Sequence, residues 1–142
     1  MSYGTETPEG AKKLVDSGWT YIDVRSVEEF EAGHPVGAFN LPILLRDASG
    51  GMVPNPAFAS ALTKSFPRET KLVFGCRSGQ RSAKACEVAE GLGYGELVNM
   101  AGGFVGATDM FGRVKQAGWQ SLGLPCATAA VGGRSWRELS AD

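Results

Sequence analysis

Three short apolar segments set the frame: WTYIDV (residues 19–24), KLVFG (71–75) and ELVN (96–99). Each runs into a turn rich in small or polar residues. Segments this rich in aliphatic, aromatic and β-branched residues suit strands covered on both faces. Helical patterns lie between them. Thr7, Pro8 and Glu9 read as N-cap, first helical residue and acidic first turn of a helix reaching about Asp16. Ser26-Val27-Glu28-Glu29 is a capping box opening a short helix that ends near Gly33. Asn55-Pro56 opens another that reaches about Phe66. Ala85, Val88, Ala89 and Leu92 recur at helical spacing before Gly93. Val36 to Leu41 reads as one more strand, and residues 42–54, with Pro42, Gly50, Gly51 and Pro54, as a loop. Gly102-Gly103 is expected to turn the chain into a last helix over about 105–117. Residues 125–142 show little pattern and suit a loose or packed-down tail. Strands alternating with helices predict an α/β fold, a parallel sheet with helices on both faces.

The bulk numbers narrow the function classes. At 142 residues the chain has room for one domain with a real core. A formal charge of -1 provides no overall basic field for nucleic acid. No apolar run approaches the ~20 residues of a membrane span. MSYGTETPEGAKK has no apolar signal core, so the expectation is a cytoplasmic protein, or an organellar one whose targeting peptide has been trimmed. Three cysteines, Cys76, Cys86 and Cys126, suit a reducing compartment better than a disulfide framework. With His34 the only histidine and no paired spacing, no metal site is expected.

The chemistry concentrates in CRSGQRS, residues 76–82, between the strand ending at Gly75 and the next helix. In open α/β sheets ligands bind beyond the carboxyl ends of the strands. Loop amides can curl into a nest of N–H donors backed by a helix dipole, which favours an anion. Helix N-termini and adjacent cations lower cysteine pKa values to ~3.5–7.5. Arg77 and Arg81 would supply the cations and Gly79 the bend, free of a side chain that would strike the loop interior. Ser78 and Ser82 would add hydroxyls, with Ser82 also a reasonable N-cap. Cys86, on an apolar helical stripe, reads as core, and Cys126 as incidental. A phosphatase-like C-x5-R loop is not met, because Ser82 stands six residues after Cys76 and Arg81 arrives one early. A Walker loop and a C-x-x-C pair are also absent.

DVRSVEEFEAGHPVGAFNLP (23–42), CRSGQRS (76–82) and NMAGGFVGA followed by Gly118-Trp119 occur in an order that resembles the single-domain rhodaneses, a family of sulfurtransferases. One departure is Gly33-His34-Pro35-Val36-Gly37-Ala38, where that family usually reads G-H-I-P-G-A. The resemblance implies a rhodanese-like fold with a central parallel sheet of five strands. It implies a rhodanese domain over residues 6–125 and a C-terminal tail over 126–142. Cys76 would be the nucleophile, taking a sulfane sulfur from thiosulfate or a similar donor and passing it to cyanide or a thiol. The amides from Arg77 through Ser78, Gly79, Gln80 and Arg81 to Ser82 would cradle the persulfide. Arg77 would bind the donor's anionic end, and Arg81 would hold the loop or assist. No cofactor is required, and a protein sulfur donor or acceptor fits the same chemistry. A persulfide carrier or relay module with low turnover on thiosulfate is the alternative. His34 reads as structural. Asp23 and Arg25 would support the site, most simply by an ion pair locking the turn to Glu28 or Glu29. Trp19, Trp119 and Trp136 read as packing, and Arg134 and Arg137 as solvated.

Overall fold

A computed structural model describes residues 3–129 and 131–141; Met1, Ser2, Ala130 and Asp142, the last two within the expected tail, lie outside it. In chain order the elements are β1 (Gly4–Glu6), α1 (Pro8–Asp16), β2 (Thr20–Asp23), α2 (Val27–Ala32), β3 (His34–Pro35), β4 (Phe39–Asn40), β5 (Leu44–Arg46) and β6 (Met52–Pro54). They continue with α3 (Phe58–Ser65), β7 (Leu72–Gly75), α4 (Gln80–Gly91), β8 (Leu97–Met100), β9 (Gly106–Thr108), β10 (Val114–Ala117), β11 (Cys126–Ala127) and α5 (Trp136–Leu139).

Five strands form one parallel sheet in the order β1-β8-β7-β2-β4. The two-residue alternation of side chains sorts its two faces. Ile22, Leu72, Phe74 and Leu97 join Phe58 and Leu62 of α3, Ala85, Cys86 and Ala89 of α4, and Leu139 of α5 in one core. Tyr21, Val73, Val98 and Met100 join Ala11 of α1, Phe30 of α2, Phe104 and Trp119 in the other. The helices form for legible local reasons. The Thr7 side chain caps α1 by accepting from the Gly10 amide, with Pro8 at the first position. Ser26 and Glu29 close a reciprocal capping box on α2.

The expected last helix over 105–117 is a hairpin instead, β9 against β10. Asp109 Oδ1 accepts from the amides of Phe111 and Arg113, and Gly112 takes a positive φ of 80°. This Asp-x-x-Gly turn, flanked by β-branched Thr108 and Val114, outweighs any helical spacing. The 42–54 loop carries a small hairpin of its own, β5–β6. The edge strand β1 is too short and exposed to announce itself in sequence. The tail is packed down. Cys126 and Ala127 pair with Pro35 and His34, and Leu139 is buried. Arg134 is not solvated. Its guanidinium donates to the Gly37 carbonyl at 2.7 Å and lies 4.7 Å from the Phe39 ring centre. His34, 1% exposed, stacks on Phe30 and donates from Nδ1 to the Phe30 carbonyl at 2.7 Å.

Candidate active site

The candidate loop leaves the carboxyl end of β7, flanked in the sheet by β2 and β8. Asp23 lies opposite Gly75 in register, so the end of β2 and the loop share one sheet edge. Gly75 is required there. A Cβ on it would fall 1.7 Å from the Tyr21 hydroxyl, which is itself buried with no hydrogen-bond partner among the described residues.

Cys76 is 1% exposed. The Gly79 amide donates to its Sγ at 3.1 Å, and the Ser82 hydroxyl lies 3.3 Å from it. Gly79, not Ser82, is the N-cap of α4, and no side chain caps that helix. The first-turn amides of α4 therefore lack intrahelical partners at the end where the loop enters, and the positive end of the dipole is there too. Gly79 is needed for its backbone rather than for space. Its φ is +113°, while a Cβ on it would meet nothing closer than 3.6 Å. Ser82 sits one turn into α4. Its hydroxyl donates to Asn99 Oδ1 at 2.5 Å or to the Gly79 carbonyl at 3.2 Å, and Asn99 Nδ2 donates to that same carbonyl. Asn99 is thus a support of the loop that residue-type reasoning passed over. Only its place in the N-M-A-G-G run hinted at it.

The two loop arginines have opposite environments. Arg81 makes a two-pronged ion pair with Glu29, at 2.7 and 3.0 Å. Burial opposes ionisation of Glu29, but the Arg81 guanidinium and the Ser26 amide and hydroxyl outweigh it and hold the carboxyl at about 2. The same hydrogen-bonded carboxylate raises the Arg81 pKa above its ordinary value, against desolvation. Arg77 has no ion-pair partner among the described residues. It lines a cleft shared with Arg25, Glu29, Phe104 and Gln120.

Asp23 and Arg25 lie beside the loop, but their ion pair is with each other and not with Glu28 or Glu29. Arg25 Nη2 meets Asp23 Oδ2 at 2.7 Å and also donates to the Gly33 carbonyl. The guanidinium lies 4.4 Å from the Phe104 ring centre. Asn40 Nδ2 donates to the carbonyls of both residues 23 and 25. Such a buried, closely hydrogen-bonded pair fixes local geometry more than it adds net stability.

A strap closes the loop from above. The Cys76 carbonyl accepts from the Phe104 amide at 2.7 Å, and the Arg77 carbonyl accepts from the amides of Val105 and Gly106. Gly103 permits this approach. A Cβ there would lie 2.4 Å from the Cys76 carbonyl oxygen, and its φ is +61°.

The other thiols sit elsewhere. Burial pushes Cys86 up to about 12, which suits a packed thiol and not a nucleophile. Cys126 lies exposed on β11. Among the described residues no cluster of three His, Cys, Asp or Glu side chains could hold a metal ion, and no helix is long and apolar enough to cross a membrane.

Comparison with known proteins agrees with this geometry. The Rhodanese-like domain family matches residues 7–109. Rhodanese-like domain-containing protein 15, chloroplastic, of Arabidopsis thaliana is 37% identical over 99 residues, covering 70% of this chain and 54% of that protein. The chain thus spans about half the length of that relative. Thiosulfate sulfurtransferase 16, chloroplastic, of the same plant is 37% identical over 115 residues, covering 81% of this chain and 85% of that protein. The crystal structure of Rv0390 from M. tuberculosis superposes with a TM-score of 0.74 at 28% identity, covering 91% of this chain and 100% of that one. With a parallel five-stranded sheet, a cysteine loop at the end of β7 and this coverage, the chain belongs to the rhodanese-like domain family, whose members include sulfurtransferases.

Proposed function

We propose that this protein is a sulfurtransferase that moves a sulfane sulfur from thiosulfate, or a similar anionic donor, to cyanide or a thiol through a persulfide on Cys76. The observation that carries this reading is the seat of the Cys76 Sγ. It accepts the Gly79 N–H at the uncapped start of α4, with an unpaired Arg77 next to it in the loop. In the first half-reaction the Cys76 thiolate attacks the outer sulfur of thiosulfate. A new S–S bond forms, the donor's S–S bond breaks, and sulfite leaves with the electron pair. Three negative charges enter and three remain. The transfer moves no proton, so no histidine base is needed. The loop amides of residues 77–82 hold the persulfide anion, Arg77 holds the donor's sulfonate, and Arg81, tied to Glu29, keeps the loop in shape. Asp23 and Arg25 brace the neighbouring strand end. We assign this chemistry to residues 6–125, with 126–142 as a C-terminal tail, acting in the cytoplasm or in an organelle.

Intact-protein mass spectrometry tests the reading. Incubation with thiosulfate should add about 32 Da, one sulfur atom, and cyanide should remove it. Cys76→Ser, folded by circular dichroism, should show neither change. A sulfur adduct that persists in the Cys76→Ser protein would remove Cys76 from the mechanism.

A further inference from the structure

The hairpin β9–β10 stands beside the cysteine loop, and its strands do not pair evenly. Val114 lies opposite Thr108 and Gln116 opposite Ala107, so Lys115 is the extra residue of a bulge. Bulges bend a strand and re-aim a side chain. Lys115 here lines a polar cleft of about 330 Å3 whose other walls include Arg77, Ser78 and Gln80 of the loop and Thr108 of β9. Among the described residues neither Arg77 nor Lys115 has an acidic partner within 4.0 Å, and no carboxylate lines the cleft. Asp109, the nearest acid along the hairpin, has Oδ1 engaged by its own turn amides. Two cations without ion pairs line this cleft, which makes it a place for an anion; Arg77 also lines the neighbouring cleft with Glu29, so Lys115 is the cation that distinguishes this one. Its size is that of the smaller clefts that hold organic ligands, ~300–1,000 Å3, so a five-atom donor such as thiosulfate leaves most of it unfilled.

We propose that this cleft is the subsite of an organic thiol acceptor carrying a second anionic group, a carboxylate or a phosphate, and that Lys115 is the cation selecting for it. The inference rests on the sulfurtransferase reading. In the step concerned, the acceptor thiolate attacks the outer sulfur of the Cys76 persulfide. One S–S bond forms as the Cys76 S–S bond breaks, the acceptor leaves as a persulfide anion, and Cys76 leaves as a thiolate. Two negative charges enter and two remain.

The test uses the full chain and two matched pairs of acceptors: mercaptosuccinate against 2-mercaptoethanol, and 4′-phosphopantetheine against pantetheine. Thiosulfate loading and discharge of the unmodified protein are measured first. If they fail, the sulfurtransferase reading fails and this inference falls with it. If they succeed, the quantity to read is kcat/KM for the anionic thiol divided by that for its neutral partner. Lys115→Gln should lower this ratio about three- to tenfold, and Lys115→Glu further. Lys115→Arg should restore it, and rising salt should erode it in the unmodified protein. A fall in the carboxylate pair alone, or the phosphate pair alone, supports the proposal and identifies the anionic group. A ratio unmoved by Lys115→Gln in both pairs overturns it. So does an equal fall in Lys12→Gln, a charge removed on α1, which would make the effect one of net charge.

Discussion

The cysteine loop and the hairpin beside it are adjacent in space and opposite in construction. In the loop the carbonyls, Ser82 and Arg81 are held by protein partners, while Arg77 and the first-turn amides of α4 are left open. The Cys76 and Arg77 carbonyls accept strap amides, Ser82 and Asn99 bond to each other and to Gly79, and Arg81 is clasped by Glu29. In the hairpin the backbone is paired and Asp109 closes the turn, but the side chains at the tip and on the bulge stand out from the fold. Met110 is 89% exposed and Phe111 76%, and Lys115 has no ion pair among the described residues. The loop is built to keep one geometry, as pre-organised catalytic groups require. The hairpin is a surface left available to whatever approaches. Arg77 belongs to the loop by sequence, and its side chain lines the hairpin's cleft. The lesson is that neighbouring cations of one type can be spent on architecture or kept for ligands, and only their partners tell which.

The strongest way to break the loop is at its narrowest contact. Gly103→Ala places a Cβ 2.4 Å from the Cys76 carbonyl at a positive φ. It should cost about 2–4 kcal/mol, combining overpacking with backbone strain, and should remove most sulfur transfer. Urea unfolding and turnover together check this, and normal values for both would show that the strap does not define the loop. Ser82→Ala should cost about 1–3 kcal/mol, because it strands Asn99 Oδ1 in a buried site. Here kcat should fall more than the melting temperature suggests, and a loss confined to stability would deny Ser82 a role beside the sulfur.

Glu29→Gln frees Arg81 and should cost about 1 kcal/mol, a value kept small because the pair is 23% and 30% exposed. The sign with pH follows from the depressed carboxyl. Its stabilisation is complete above the ordinary value of 4.5 and is lost as pH falls towards about 2. The melting-temperature gap between the unmodified and Glu29→Gln proteins should therefore narrow from about pH 4.5 downward, and a constant gap would contradict the pairing. The smallest effect belongs to the hairpin tip. Phe111→Ser should leave stability within about 0.5 kcal/mol, as expected for an exposed side chain. A larger loss in thermal unfolding would mean that the tip packs against something.

Much of the site was legible from residue types. A lone cysteine among arginines, glycine and serines, just past an apolar strand, has few bland explanations, and the loop lies where the pattern puts it, although α4 begins at Gln80 rather than after Ser82. The capping signals at Thr7 and Ser26 also read true, because they act over three residues and need no tertiary help. What failed was long-range or ambiguous. The expected ion pair from the Asp23–Arg25 turn to Glu28 or Glu29 does not form: Arg25 pairs with Asp23, and Glu29 belongs to Arg81, 52 residues away. The expected helix over 105–117 is a hairpin because Asp109 and Gly112 form a tight turn whose hydrogen bonds are local to the loop.

Although α3 begins at Phe58 rather than at Asn55-Pro56, the chain by itself determined most of the alternation of strands and helices, the starts of α1 and α2, and the place of Cys76 at a strand end. These are local properties, decided by propensity, capping and sterics within a few residues. Only the tertiary structure decided which arginine is clasped and which is free, which carbonyls the 104–106 strap covers, and that the bulged Lys115 faces the cleft beside the cysteine loop. Those depend on side chains far apart in sequence arriving within 3–4 Å of one another, and ion-pair and hydrogen-bond energies reward that approach only once the sheet has brought them together.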